Sequence, residues 1–277
     1  MNVSMHGKLT AACVVLFVSW ASGIVRADPV VTINSRNQSI PAILLKPDGT
    51  PKGAVILFAG DDGRLDIQPD GTIRFLQENF LVRARDLFVR AGYTTLVPDL
   101  ARDMKEGEAD VVAGYRGSQD YAVDVNQMVR YMRSQGARKV WTIGTSRGTL
   151  SVANYVARYW TPRERTPDGQ IYTSGFWQLS DEEFTIWKLA NHNARRLRLP
   201  TLLVVHEQDV CPDTNPVTYL DAFKKWLSDG GVAFSVMTFT GGKPPESGPC
   251  NALSQHGFYG LDEEVVKRIT GWIGQRG

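Results

Sequence analysis

The segment Gly144-Thr145-Ser146-Arg147-Gly148 sets a serine between two glycines, each two residues away. The apolar run Val140 to Ile143 precedes it, and a stretch with helical patterning follows from about Leu150 to Tyr159. Where a strand turns directly into a helix, side chains two residues either side of the serine would collide, so glycine suits both places. The serine then stands at the carboxyl edge of a sheet, beside a helix amino end that favours developing negative charge. A bare Gly-x-Ser-x-Gly is common by chance, and it is the strand-turn-helix context that gives it meaning. The chemistry such a serine could do is nucleophilic attack on a carbonyl.

A serine hydroxyl attacks only when a base takes its proton and a carboxylate orients that base. The chain order for this turn is serine, then acid, then histidine, each after a later strand. The apolar run Thr201 to His206 leads into Glu207-Gln208-Asp209, which places Asp209 as the acid, with Glu207 and Asp213 as rivals. The run Ala233 to Phe239 leads into a Gly/Pro-rich loop holding His256. His192 falls before a later strand and His206 ends one, so only His256 stands where the base is required. The plainer readings are a helix cap for Ser146, a turn former for Asp209 and a packing histidine for His256.

The elements that must position these residues follow from periodicity. Short β-branched runs alternate with amphipathic stretches, the pattern of a mostly parallel sheet flanked by helices on both faces. Val30 to Ile33 and Ile40 to Leu45 are spaced to pair as a hairpin, and Ala54 to Ala59, Tyr93 to Pro98 and Gln170 to Thr173 read as further strands. Phe80, Ala84, Leu87, Phe88 and Ala91 predict one helix stopped by Gly92. Ser118 caps a second, Asn215-Pro216 opens another that ends before Gly230, and Asp262-Glu263-Glu264 starts the last.

Lys8 is followed by seventeen uncharged residues, Leu9 to Val25, and then by the small-x-small ending Val25-Arg26-Ala27. This is the pattern of a secretory signal peptide over residues 1–27, leaving residues 28–277 as one domain in an exported, periplasmic or secreted protein. The apolar run is short for a membrane span. Most of it follows Cys13, which argues against a lipid-modified cysteine. The full chain of 277 residues holds 31 basic and 29 acidic residues; without Lys8 and Arg26 it has 29 of each. That balance offers no basic footprint for nucleic acid or anionic lipid. Histidines and cysteines show no zinc-type spacing, so no metal and no cofactor is expected.

At this point the chain resembles the α/β-hydrolase superfamily through nearly the whole of residues 28–277. Beyond the serine turn, Asn79-Phe-Leu-Val-Arg83-Ala-Arg85, Cys250 and His256-Gly-Phe-Tyr-Gly260 resemble a group of small exported bacterial members. The resemblance implies Ser146 as nucleophile, Asp209 as acid and His256 as base. It also implies an oxyanion hole from the backbone N–H of Arg147 and one from the loop Phe58-Ala-Gly-Asp61-Asp-Gly63, with Asp61 as the second donor. That loop departs from the His-Gly forms of many esterases and lipases.

Cys211 lies two residues after the proposed acid and Cys250 six before the proposed base. In an exported chain such an even pair is expected to bridge and to hold acid and base in register. About forty residues separate the serine's helix from the strand before Asp209, which leaves no room for a large lid domain. Within them, Phe176, Trp177, Phe184 and Trp187 are candidates either for a substrate pocket or for core packing. Arg64, Arg83, Arg85 and Arg147 are read first as ion-paired or solvated, and second as contacts for an acidic group. By analogy with the superfamily the expected substrate is a small-molecule ester with a small or medium acyl group. The alternatives are an amide or peptide cleaved by the same residues, or a binding protein without catalysis.

Overall fold

The computed structural model describes residues 1, 28–104, 114–159, 166–176 and 181–276. The expected signal segment falls outside these residues, as does Trp177. An eight-stranded sheet runs in the order β1-β2-β4-β3-β5-β6-β7-β8. Its strands are β1 (Val30–Ser35), β2 (Gln38–Leu45), β3 (Gly53–Phe58), β4 (Tyr93–Pro98), β5 (Val140–Ser146), β6 (Gly169–Gly175), β7 (Thr201–His206) and β8 (Phe234–Phe239). β1, β2 and β4 pair antiparallel, and every pairing from β4 to β8 is parallel.

The central strands are apolar runs because both of their faces are covered. Every residue of β3, β4, β6 and β7 is buried, whereas β1 and β8, at the two edges, are partly exposed. On one face lie α3 (Gln119–Ser134), α4 (Gly148–Arg158), α5 (Asp181–Leu197) and α6 (Pro216–Asp229). On the other lie α1 (Phe80–Arg83), α2 (Arg85–Arg90) and α7 (Asp262–Gly274). The helix starts follow their capping chemistry. Ser118 accepts from the Tyr121 N–H, and Asn215 accepts from the Thr218 N–H ahead of Pro216. Three acids occupy the first turn of α7, where the helix dipole favours them.

The helix expected over Phe80 to Ala91 is instead two short pieces. α1 ends at Ala84 (φ −88°, ψ 2°), and the Leu87 N–H reaches back three residues to the Ala84 carbonyl. This tightened turn separates two long cations. Arg83 reaches across to Asp262, whereas Arg85 pairs with Asp28 at 2.7 Å.

Candidate active site

Ser146 is the last residue of β5 and has φ +52°, in the left-handed region that a side chain rarely enters. Arg147 (φ −56°, ψ −20°) then opens α4 at once. The two flanking glycines are required by contact. A Cβ on Gly144 would sit 2.2 Å from the Gly148 carbonyl oxygen, and one on Gly148 would sit 2.3 Å from that of Phe58. Thr149 closes the turn by donating its hydroxyl to the Ser146 carbonyl at 2.7 Å. The strand therefore delivers Ser146 to a fixed point above the sheet edge.

Two strands further along, the loop after β7 carries Asp209 and the loop after β8 carries His256. His256 Nδ1 lies 3.0 Å from Asp209 Oδ2, and both side chains are buried. The carboxylate has two further donors. Asp209 Oδ1 accepts the Cys211 N–H at 3.0 Å, and Oδ2 also accepts the Thr214 hydroxyl at 2.9 Å. Thr214 Oγ1 is in turn 2.9 Å from His256 Nδ1, so hydroxyl, carboxylate and imidazole form a closed triangle. A carboxylate held this way accepts the Nδ1 proton and leaves Nε2 as the basic nitrogen. Ser174, at the end of β6, donates its hydroxyl to the His256 carbonyl at 2.7 Å and fixes the backbone. The Cys211–Cys250 disulfide joins the two loops.

Thr214 and Ser174 are the residues that sequence reasoning missed. Thr214 had a faint signal, a hydroxyl five residues past the acid in a polar loop. Ser174 had none. The rival His206 is committed elsewhere: its Nδ1 accepts the Gln208 N–H at 3.1 Å, so Nε2 donates to the Gly241 carbonyl at 3.1 Å.

Ser146 and His256 open onto one cavity of about 460 Å³. One wall is the segment 74–80, with Arg74, Leu76, Glu78 and Asn79; the other is 247–252, with Ser247, Cys250 and Asn251. Gly60 and Asp61 also line it. Arg83 fastens both walls beneath the cavity. Its guanidinium donates to the carbonyls of Glu78, Ala252 (3.1 Å) and Gly257 (2.6 Å), and pairs with Asp262 at 2.8 Å. The approach is close, since a Cβ on Gly257 would lie 1.9 Å from the Ala252 carbonyl oxygen.

No protein-family model and no curated protein sequence matches the chain. Solved structures do. An α/β serine hydrolase homologue from Coxiella burnetii superposes with a TM-score of 0.59 at 14% identity, over 90% of this chain and 99% of that one. Est1E from Butyrivibrio proteoclasticus, in a structure with bound ferulic acid, gives 0.58 at 13% identity over 89% and 98%. A thermostable carboxyl esterase from Bacillus coagulans gives 0.56 at 13% identity over 90% and 98%. The chain has the α/β-hydrolase fold.

On this α/β-hydrolase fold the other expected residues separate. Asp61 (φ +51°) borders the cavity, and Arg147 stands at the head of α4. Phe176 does not wall the cavity. It is buried in the core beneath α4, its N–H bonded to Thr149 and its ring against the Arg147 guanidinium. Trp187 is likewise core, edge-on to Tyr172 and Phe223 at 5.0 Å each. Apart from Phe80, the side chains of the two cavity walls come from segments where no apolar period marked them. Arg64, Arg83 and Arg85 are all ion-paired, to Asp62, Asp262 and Asp28. Among the described residues no group of His, Cys, Asp and Glu could hold a metal ion. Nor is any helix among them long and apolar enough to cross a membrane.

Proposed function

We propose that the protein is an exported serine hydrolase that cleaves a small ester by acyl transfer to water. One observation carries this reading: Ser146 and His256 open onto the same cavity, with Asp209 hydrogen-bonded behind the imidazole. His256 Nε2 takes the Ser146 proton as Oγ attacks the ester carbonyl, and the oxyanion is met by the N–H groups of Arg147 and Asp61. The tetrahedral intermediate collapses, breaking the carbon–oxygen bond, and the imidazolium gives its proton to the leaving alcohol. His256 then deprotonates a water that attacks the acyl-enzyme and returns the proton to Ser146, while Asp209 keeps Nδ1 protonated throughout.

The cavity's composition narrows the ester. Its walls mix Leu76, Phe80 and Ala252 with Arg74, Gln77, Glu78, Asn79, Ser247 and Asn251. Such walls suit a compact ester with polar groups near the scissile bond better than a long alkyl chain, whose burial needs continuous apolar lining.

The reading is tested by treating exported, oxidised protein with a fluorophosphonate and mapping the labelled peptide. Labelling at Ser146 that disappears in His256→Ala is the expected result. Turnover of p-nitrophenyl acetate should then exceed that of p-nitrophenyl palmitate. Folded protein that neither labels nor turns over either ester would refute the assignment and favour a binding role.

A further inference from the structure

Arg116 lies on the segment just before α3 and plays no part in the steps above. Its guanidinium is buried beneath the loop 60–63, at 2% exposure. There it donates from Nε to the Asp62 carbonyl at 3.2 Å and from Nη2 to the Gly60 carbonyl at 3.4 Å. Nη1 is buried with no partner among the described residues. Burying a cation whose hydrogen bonds go to carbonyls is costly, and burial pushes this guanidinium below its ordinary basicity although the nearby Asp62 and Asp61 carboxylates act the other way. The chain nevertheless makes room for it. A Cβ on Gly63, which has φ +83°, would lie 1.6 Å from Nη2. Asn154 of α4 donates to the Arg116 and Ser118 carbonyls, each at 2.8 Å, and so anchors the segment from behind.

The Gly60 carbonyl and the Asp61 N–H belong to one peptide unit, and in a planar trans peptide they point in opposite directions. Drawing the oxygen inward to Arg116 turns the N–H outward, to the side where Gly60 and Asp61 border the cavity. The same peptide lies against the nucleophile, since a Cβ on Gly60 would be 3.1 Å from Ser146 Cβ. Donation from a cation also polarises the peptide and strengthens its N–H as a donor.

We propose that Arg116 is a positioning residue for the oxyanion hole, aiming and polarising the Gly60–Asp61 peptide so that the Asp61 N–H meets the developing oxyanion. The proposal rests on the serine-hydrolase reading and adds to it a residue outside the cavity. Because the donor acts on the tetrahedral species, losing its alignment lowers kcat and leaves KM little changed.

The test compares Arg116→Met, Arg116→Lys and wild type on p-nitrophenyl acetate, with Tm and the affinity for a small boronic acid that forms a tetrahedral adduct. Arg116→Met is expected to lose about 10–100-fold in kcat, less than the ~100–1,000-fold of removing an oxyanion donor outright. Its KM stays within about threefold, and boronate affinity falls in step with kcat. Arg116→Lys, which keeps the charge and one donor, recovers part of both. If Arg116→Met does not fold, Arg116→Lys alone decides, through a severalfold loss of kcat and boronate affinity at constant KM. A folded variant with wild-type kcat and boronate affinity overturns the proposal while Ser146 still labels. A wild type that does not label at Ser146 overturns the hydrolase reading first, and this inference with it.

Discussion

Asp209 accepts three hydrogen bonds and His256 touches two of the groups involved, so the orientation of the imidazole depends on more than the acid–base pair. Thr214 is the added member, and Thr214→Val removes its hydroxyl at nearly constant shape. Hydrogen bonds to charged groups are worth about 1.5–3 kcal/mol, and each 1.4 kcal/mol is tenfold in rate. The expected outcome is a loss of about tenfold or somewhat more in kcat with KM little changed, measured on p-nitrophenyl acetate. Wild-type kcat in the variant would show that Asp209 alone sets the ring. At this scale the sequence was legible where the constraint is local. Gly144 and Gly148 exclude side chains that would meet backbone within a few residues or on the adjacent strand, and such a demand leaves a fixed spacing. Thr214 reaches His256 across 42 residues and Ser174 across 82, and a lone hydroxyl at such a distance leaves no pattern.

Among the elements, the strands and the starts of α3, α6 and α7 follow from periodicity, capping and helix-end charge, but α5 was not marked and the 80–91 segment departs from its expected single helix. Its apolar spacing fits one helix, and the structure breaks it at Ala84, with Arg83 paired to Asp262 and Arg85 to Asp28 on either side. Arg83→Met tests the value of the Arg83 contacts. It abolishes one ion pair and leaves carbonyls of Glu78, Ala252 and Gly257 without this donor, a loss of about 2–4 kcal/mol in urea unfolding. Asp262→Asn keeps the carbonyl contacts and should cost less than half as much. Equal losses in the two variants would mean that the ion pair, not the fastening of the two walls, is what matters. The cavity walls were also illegible. They are built mostly from loops, and the described aromatic candidates Phe176 and Trp187 lie in the core instead.

For the whole molecule, a mostly parallel sheet with both faces packed was legible, because fully covered parallel strands must be apolar throughout; the order of the strands within it was not. The disulfide was expected from the pairing of cysteines near acid and base, and the structure bonds Cys211 to Cys250 across 39 residues. Loop-closure entropy makes it worth about 4 kcal/mol. Cys211→Ser with Cys250→Ser should lower the urea midpoint accordingly. It should also depress kcat by loosening the Asp209 loop, because the Cys211 N–H is itself a ligand of the carboxylate. An unchanged kcat in the double variant would separate the bridge's contribution to stability from the alignment of the site.

Three of the four groups that Arg83 holds are main-chain carbonyls, which every residue supplies whatever its side chain. The frame of the cleft is thus indifferent to which side chains stand on it. Gln77, Glu78, Asn251 and Ala252 are free to be exchanged while the fastening beneath them persists. A molecule built this way can change what it accepts in small mutational steps, each leaving the fold and the reacting groups intact, so that its selectivity drifts faster than its chemistry.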